Sequence, residues 1–166
     1  IPGVSLKFIW RGTDSFRYRV NYVGERFKFP LNVRLDFSLE KNFLPPNNSS
    51  IASSIPVSAF AVILHLNQEE ILAEKIRAFM VRAKGRDIFD IWYLLEKGVI
   101  PPDLITKKKL EKAGLKFDKN ALLKKIDGYP IKKLEMDLAK FLPKHLRKII
   151  PLLKQKTLGR LRNVNL

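Results

Sequence analysis

The sequence predicts an α+β fold, with strands in the N-terminal part of the chain and helices in the remainder. Large and polar residues alternate over residues 16–39 with the two-residue period of a strand, whereas apolar residues over 67–96 recur with the period of a helix. Residues 104–156 contain basic amphipathic segments separated by glycines and prolines. We therefore expect the strands in residues 1–66 and a helical domain, basic in its C-terminal part, in residues 67–166.

The N-terminal part is expected to contain three strands. Residues 16–24 and 27–39 both alternate and are separated by Glu25 and Arg26, which is typical of a hairpin. Residues 44–54 have the composition of a loop, and residues 59–66 form a third apolar run that leads into the helices.

The first helix is expected to begin near Gln68. Asn67 is a favourable N-cap, and Glu70, three residues further on, completes a capping-box pattern. At 100° per residue, one stripe of this helix is apolar and should be buried. This stripe consists of Leu72, Ile76, Phe79 and Ala83.

Lys84 and Gly85 interrupt the helical pattern, and a second helix is expected over residues 86–96. The remainder, residues 104–156, predicts three or four basic amphipathic helices. They are punctuated by Gly114, Gly128, Pro130, Pro143 and Pro151.

Composition narrows the classes of function. The 166 residues are 46% hydrophobic and 10% aromatic, which is enough for a folded core. There is no cysteine, so disulfide scaffolds, cysteine zinc sites and thiol nucleophiles are excluded. The longest apolar run is about half the length that a bilayer-spanning helix needs. No secretory leader is visible, so we expect a cytoplasmic protein without a membrane partner.

The charge is strongly basic and uneven. The chain has 32 basic and 16 acidic residues, and 18 of the basic residues but only 5 of the acidic ones lie in residues 107–166. Such a field attracts nucleic acid or an acidic membrane surface through the same long-range attraction. We expect a polyanion partner. A solvated lysine-rich surface is the alternative that composition leaves open.

Charged residues stand inside the apolar two-helix pattern, and four of them are expected to face one another. Lys75 and Arg82 lie two turns apart on one stripe of the first helix, and Asp87 and Asp90 share a stripe of the second. These residues could form interhelix ion pairs. Alternatively, the two cations bind phosphate oxygens and one aspartate acts as a base or a metal ligand. Spacing alone favours the first interpretation without excluding the second.

Asp36 allows a similar choice. A carboxylate between Leu35 and Phe37 is unfavourable in a strand by propensity. It could belong to a polar outer face with Arg34 and Ser38, or it could be one of the strand carboxylates that hold divalent ions in nucleotidyl transfer.

The run of residues 69–90 resembles the third and fourth motifs of the AbiE-type toxin nucleotidyltransferases, the AbiEii family. These motifs have the form E-x-x-x-A-x-K-x-x-A-x-x-x-R followed by R-D-x-x-D. The positions in register are Glu69 or Glu70, Ala73, Lys75, Ala78, Arg82, Arg86, Asp87 and Asp90. With lower specificity, the resemblance extends over residues 16–142 to the helix that contains Asp137.

The resemblance implies a DNA polymerase β-like nucleotidyltransferase fold, here a partial mixed sheet followed by a C-terminal helical bundle. Members are toxins of abortive-infection toxin–antitoxin systems, so a cognate antitoxin is an expected partner. They use a nucleoside triphosphate, and some relatives add nucleotides to tRNA. The basic C-terminal helices would then bind this RNA.

Site residues follow from the same resemblance. Lys75 and Asp87 match the essential lysine and aspartate of the family and would be catalytic. Asp36 would match a carboxylate that holds Mg²⁺. The residues expected to bind the substrate are Lys75, Arg82, Arg86 and Asp90.

Two family motifs are missing from the sequence, a Gly-Gly-Ser/Thr turn and an Asp-x-Asp pair. The nearest string is RGTDS at residues 11–15, which lacks the second glycine and the carboxylate pair. Since the chain begins at Ile1 rather than Met, we expect both motifs before residue 1. The alternative is a non-catalytic RNA-binding or antitoxin-docking module on the same scaffold. A ribonuclease using His65 or His145 is disfavoured, because neither follows an arginine at the spacing of such a motif.

Overall fold

A computed structural model describes residues 2–50 and 62–164 of the chain. The α+β prediction is confirmed, with strands followed by helices. The chain divides into two compact units, Ile1–Lys41 and Asn42–Leu166. The sequence placed the change from strands to helices at residues 66 and 67, whereas the second unit also includes a short two-stranded sheet.

The first unit is a three-stranded antiparallel sheet in the order β1-β2-β3. Its strands are β1 at Val4–Arg11, β2 at Ser15–Tyr22 and β3 at Leu31–Ser38. The predicted hairpin is confirmed as β2 and β3, although its connection, residues 23–30, is longer than the tight turn expected at Glu25 and Arg26. β1 was not predicted, because a bulge between Phe8 and Trp10 interrupts its alternation.

The two faces of this sheet differ in chemistry, since side chains alternate along each strand. The cross-strand register places eleven large apolar residues on one face. They are Val4, Leu6, Phe8, Phe16, Tyr18, Val20, Tyr22, Leu31, Val33, Leu35 and Phe37. The other face is polar. None of residues 2–41 is buried, so this sheet has no enclosed core within the described chain.

The second unit begins with a small antiparallel sheet of β4 at Asn47–Ser50 and β5 at Val62–His65. β4 falls where the composition predicted a loop. Its polar residues carry no strand signal of their own, and they form a strand through backbone pairing with the apolar β5. β5 lies within the predicted third strand, whose residues 59–61 are outside the described residues.

Six α-helices and one 3₁₀ helix make up the rest of the described second unit. They are α1 at Gln68–Arg82, α2 at Gly85–Glu96, α3 at Asp103–Lys112, α4 at Lys119–Asp127, α5 at Ile131–Ala139, the 3₁₀ helix at Lys144–Ile149, and α6 at Ile150–Arg162. The predicted starts near Gln68 and near Arg86 are confirmed, with α2 beginning one residue earlier, at Gly85. None of the helices at the described positions is long and apolar enough to cross a membrane.

The core of the second unit is shared by all six helices. Leu72, Ile76 and Phe79 of the predicted stripe are fully buried. Ala83 is only partly buried, because it caps α1 in the left-handed conformation, with φ of 46°. This cap turns the chain, so that α2 packs back against α1.

Gly85, the first residue of α2, allows α5 to approach closely. A Cβ atom at this position would lie 3.0 Å from Leu134 Cδ1 and 3.0 Å from Asp137 Cβ. We expect Gly85→Ala to lower the free energy of unfolding by about 1–3 kcal/mol, because the helices must separate.

Gly159→Ala is the matched control, since a Cβ atom there would meet nothing within 4 Å. It should raise the free energy of unfolding by about 0.5–1 kcal/mol through helix propensity. Urea denaturation measures both changes, and effects of the same sign would contradict close packing at Gly85.

Candidate functional site

Helices α1 and α2 bring four of the predicted site residues together in two ion pairs. Lys75 Nζ lies 2.6 Å from Asp90 Oδ2. Arg82 contacts Asp87 through two hydrogen bonds, from Nε to Oδ2 at 2.9 Å and from Nη2 to Oδ1 at 2.7 Å. The interhelix pairs that the spacing allowed are therefore present, each linking one cation of α1 to one carboxylate of α2.

The two pairs differ in exposure. Asp87 is completely buried, whereas the side chain of Arg82 is 45% exposed. The hydrogen bond from Arg82 to Asp87 is the main reason that the pKa of Arg82 is raised, and burial opposes this rise. Because Asp87 is enclosed and fully engaged, it fixes the Arg82 guanidinium rather than facing solvent. The remaining N–H groups of Arg82 are available to an anion.

The Lys75–Asp90 pair is more open, with side-chain exposures of 31% and 35%. A lysine binds as a point charge without the fixed fork geometry of arginine. An ion pair this exposed contributes little stability. Lys75 can therefore exchange Asp90 for a more highly charged anion at small cost.

Lys75 and Arg82 both line a hollow on the surface of α1, with a volume of about 280 Å³. Its lining residues are Glu74, Lys75, Arg77, Ala78, Val81 and Arg82. Whole drug-sized ligands occupy pockets of roughly 300–1,000 Å³. The hollow therefore suits part of a ligand, such as a phosphate chain. Of the three cations in its lining, Arg77 pairs with Glu74 of the same lining, whereas Lys75 and Arg82 are paired with carboxylates of α2.

Arg86 is separated from this cluster, although it precedes Asp87 in the sequence. It is exposed and lines a different hollow of about 150 Å³. The other lining residues are Lys84, Asp137, Lys140 and Phe141. Adjacent residues of a helix point about 100° apart, so Arg86 and Asp87 cannot share one surface. The predicted substrate-binding residues thus divide between two places: Lys75, Arg82 and Asp90 lie in the ion-paired cluster of α1 and α2, and Arg86 lies at the separate hollow.

Asp36 lies in the first unit, on the polar face of β3. Arg17 of β2 hydrogen-bonds one carboxylate oxygen, and Arg34 Nε lies 3.0 Å from the other. The hydrogen bond from Arg17 is the largest cause of a lowered pKa for Asp36. Two guanidinium groups already neutralise this carboxylate, so its surroundings do not fit the predicted Mg²⁺ ligand. Within residues 2–50 and 62–164, no group of three or more His, Asp and Glu side chains could hold a metal ion.

Glu70 has a different role from the predicted capping box. Asn67 caps α1 by accepting from the backbone N–H of Glu69, whereas the Glu70 carboxylate is buried. It accepts from the backbone N–H groups of Phe43 at 3.0 Å and Leu44 at 2.9 Å. Lys109 Nζ of α3 lies 3.1 Å away and is also buried. The sequence could not indicate this arrangement, because its partners are far from Glu70 along the chain.

We expect Glu70 to make stability depend on acid pH. Burial opposes its ionisation, but the hydrogen bonds from Leu44 and Phe43 and the nearby Lys109 outweigh this, so its pKa is lowered from 4.5. The folded state therefore binds the proton less readily than the unfolded state. The stabilisation is full above about pH 4.5 and is lost as pH falls through the lower pKa of the folded protein.

Glu70→Gln should lower the free energy of unfolding at pH 7 by about 1.5–3 kcal/mol, since a buried charged acceptor is lost. The deficit should shrink as pH falls from 5 to 3, as measured by urea denaturation at each pH. A deficit that is constant with pH would exclude ionised Glu70 as the cause.

Asp137 of α5 is a further residue whose role the sequence did not indicate. Its Oδ2 atom accepts from the backbone N–H of Gly85 at 2.7 Å and from the Tyr129 hydroxyl at 2.7 Å. Burial opposes ionisation of Asp137, but these bonds and nearby lysines lower its pKa. Asp137 thus holds the start of α2, two residues before Asp87. A carboxylate between apolar Met136 and Leu138 is the one signal in the sequence.

Comparisons with known proteins agree with this architecture. Two solved structures are similar, and this chain is 16% identical to each. The alignment with "Crystal structure of putative nucleotidyltransferase from H. pylori" covers 98% of this chain and 70% of that protein's chain, with a TM-score of 0.51. The alignment with "Crystal structure of JHP933 from Helicobacter pylori" covers 98% of this chain and 68% of that protein's chain, with a TM-score of 0.49. At this identity, the first of these shows likeness of fold alone. No curated protein sequence matches the chain.

A family described as "Nucleotidyl transferase AbiEii toxin, Type IV TA system" matches residues 4–157. The match spans both units, including the ion-paired helices α1 and α2. The chain therefore belongs to the AbiEii family of nucleotidyl transferase toxins.

Proposed function

We propose that this chain acts in the transfer of a nucleotide from a nucleoside triphosphate to an acceptor such as tRNA. One observation carries the proposal: Lys75 and Arg82 line a single hollow on α1, and each is paired with a carboxylate of α2. Two cations spaced by two helical turns suit a chain of phosphates. Membership of a nucleotidyl transferase family supports the same reaction class.

The surroundings of each residue suggest its role. Lys75 would exchange Asp90 for phosphate oxygens and bind them as a point charge. Arg82 would bind the same phosphates with the N–H groups that Asp87 leaves free. Since Asp87 is buried, we assign it as a positioning residue that acts through Arg82, rather than as a group that touches the acceptor. Arg86 would bind a separate part of the substrate at its own hollow.

The basic helices α4, α5 and α6 and the intervening 3₁₀ helix would bind the RNA acceptor through its phosphates. Seven exposed lysines in these segments or directly after them are suited to this contact. They are Lys124, Lys132, Lys133, Lys140, Lys144, Lys148 and Lys156. Because the family comprises toxins of toxin–antitoxin systems, a cognate antitoxin is the proposed protein partner.

Members of this family generally use a divalent metal, and Mg²⁺ is the ion that the motifs predicted. When bound, such an ion neutralises charge on the triphosphate. Asp36 does not fit as its ligand, because two arginines occupy its oxygens. No step of the proposal therefore passes through Asp36.

A non-catalytic module that binds RNA or an antitoxin is the second candidate. The observation in its favour is that Lys75 and Arg82 already have carboxylate partners, so the pairs join α1 to α2 without any ligand. Such a module would bind RNA with a steep salt dependence but transfer no nucleotide.

The natural protein that contains residues 1–166, incubated with labelled nucleoside triphosphates and total tRNA, tests both candidates. Label that enters RNA with the wild type but not with Lys75→Ala supports nucleotidyl transfer. Salt-sensitive RNA binding without label, unchanged by Lys75→Ala, would establish the second candidate instead.

A further inference from the structure

The polar face of the three-stranded sheet presents three cations in one row. Lys7 of β1 lies directly opposite Arg19 of β2, which lies opposite Arg34 of β3. We call these three residues the cationic row. Adjacent strands are only about 5 Å apart, and like charges placed directly opposite each other destabilise a sheet. The row therefore costs stability that an anion bound on this face would restore.

Compensation for this charge is incomplete. Arg34 pairs with Asp36, but Arg17 shares the same carboxylate. Within the described part of the chain, no acidic side chain pairs with Lys7 or Arg19, and both are exposed. Two cations of the row are thus open to an external ligand.

An aromatic ring stands next to the row. The bulge after Phe8 shifts the register, so that Trp10 lies opposite Arg17 and on the polar face instead of with Phe8 on the apolar face. The Arg17 guanidinium carbon lies 5.7 Å from the centre of the indole, within cation–π range. Bulges that redirect a side chain in this way are typical of functional edges.

The position of the indole also depends on Gly12. A Cβ atom at residue 12 would lie 2.4 Å from Cζ3 of Trp10, so only glycine permits this placement. Trp10 is nevertheless 41% exposed. The ring therefore lies close against Gly12 while much of its surface remains accessible.

We propose that this face binds single-stranded RNA, with the backbone on the cationic row and a base stacked on Trp10. A cationic groove beside an exposed aromatic side chain is the combination that binds single-stranded nucleic acid. An acidic protein segment would use the cations, but it would have no need of an exposed indole. This face belongs to the first unit, whereas the hollow on α1 belongs to the second, and the use of the face does not depend on nucleotide transfer.

Binding of a fluorescein-labelled single-stranded RNA to the full chain tests the proposal. Lys7→Ala/Arg19→Ala should weaken binding about tenfold and reduce the slope of log affinity against log salt by about 1–2. Removing the opposed charges should leave the melting temperature unchanged or raised, so loss of folding would not explain the weaker binding.

Arg26→Ala/Lys28→Ala is the matched control, because it removes the same charge from the connection between β2 and β3 in the same unit. Its affinity should remain within about twofold of the wild type. If both double variants weakened RNA binding equally, RNA would not bind specifically at the cationic row, because the loss of net charge alone would explain the result.

Stacking on Trp10 has its own measurement. In a Trp92→Phe background, Trp10 is the only tryptophan of the chain, and RNA should quench its fluorescence. Trp10→Leu should weaken binding about 5- to 150-fold, the range of a stacked base. Absence of quenching would overturn base stacking on Trp10 and with it the proposed RNA site. Polyglutamate that binds equally well, with the same dependence on Lys7 and Arg19, would indicate an acidic protein partner instead.

Discussion

Arg82→Ala is expected to lower the free energy of unfolding of this protein by about 3–5 kcal/mol. The substitution leaves the Asp87 carboxylate, which is 0% exposed, without either of its two guanidinium hydrogen bonds. A buried charge without a partner is among the most destabilising defects in a protein. Urea denaturation at pH 7 measures the loss.

Removal of the other partner, Asp87→Ala, should lower the free energy of unfolding by less. Arg82 is 45% exposed, so its guanidinium can turn to water when the carboxylate is removed. The order of the two effects therefore tests which partner depends on the other. A larger loss for Asp87→Ala than for Arg82→Ala would contradict the assignment of Arg82 as the compensating charge.

Arg160→Ala is the matched control, since Arg160 makes the same two-bond contact with Glu96 on the surface of α6 and α2. Both side chains there are open to solvent, with exposures of 54% and 32%, so a much smaller loss is expected. Equal losses for Arg82→Ala and Arg160→Ala would show that burial of Asp87 does not determine the cost.

The ion pairs illustrate what periodicity can predict. The 3.6-residue repeat placed Lys75 and Arg82 on one stripe, and Gly85 indicated a short connection that makes α1 and α2 neighbours. Those two facts suffice for the pairs with Asp87 and Asp90, because helical spacing and a short loop leave little freedom.

Long-range contacts could not be predicted in the same way. Glu70 fits a capping box by local sequence, but the backbone N–H groups of Phe43 and Leu44 compete for its carboxylate. Asp36 resembles a metal ligand by local sequence, but the strand register places Arg17 directly opposite it. A bulge altered the alternation of β1, so its side-chain pattern concealed a strand. In each case, the deciding partner is distant in sequence.

Lys75→Ala is expected to lower nucleotide transfer by about 10²–10³-fold, as removal of one charge from a phosphoryl-transfer site does. Its pair with Asp90 is about one-third exposed on each side, so the loss of stability should stay below about 1 kcal/mol. Labelled-nucleotide transfer and urea denaturation of the same sample separate the two effects. Transfer that falls while stability is kept would place Lys75 in the reaction.

Lys107→Ala provides the matched control. Lys107 Nζ lies 2.6 Å from Asp103 Oδ2 on α3, the same distance as in the Lys75–Asp90 pair, and both pairs are partly open to solvent. Loss of a lysine–aspartate pair as such should therefore have equal effects at both positions. If Lys75→Ala and Lys107→Ala reduced nucleotide transfer equally, Lys75 would have no specific role in phosphate binding.

Asp90→Asn distinguishes phosphate binding from helix joining. If Lys75 serves only to join α1 to α2, removing either partner breaks the same contact, and Asp90→Asn must reproduce Lys75→Ala. If Lys75 binds phosphate, Asp90 is its competitor in the free protein. Asp90→Asn should then keep most of the transfer activity and lower the KM for the nucleoside triphosphate, because Lys75 no longer has to leave a carboxylate in order to bind it.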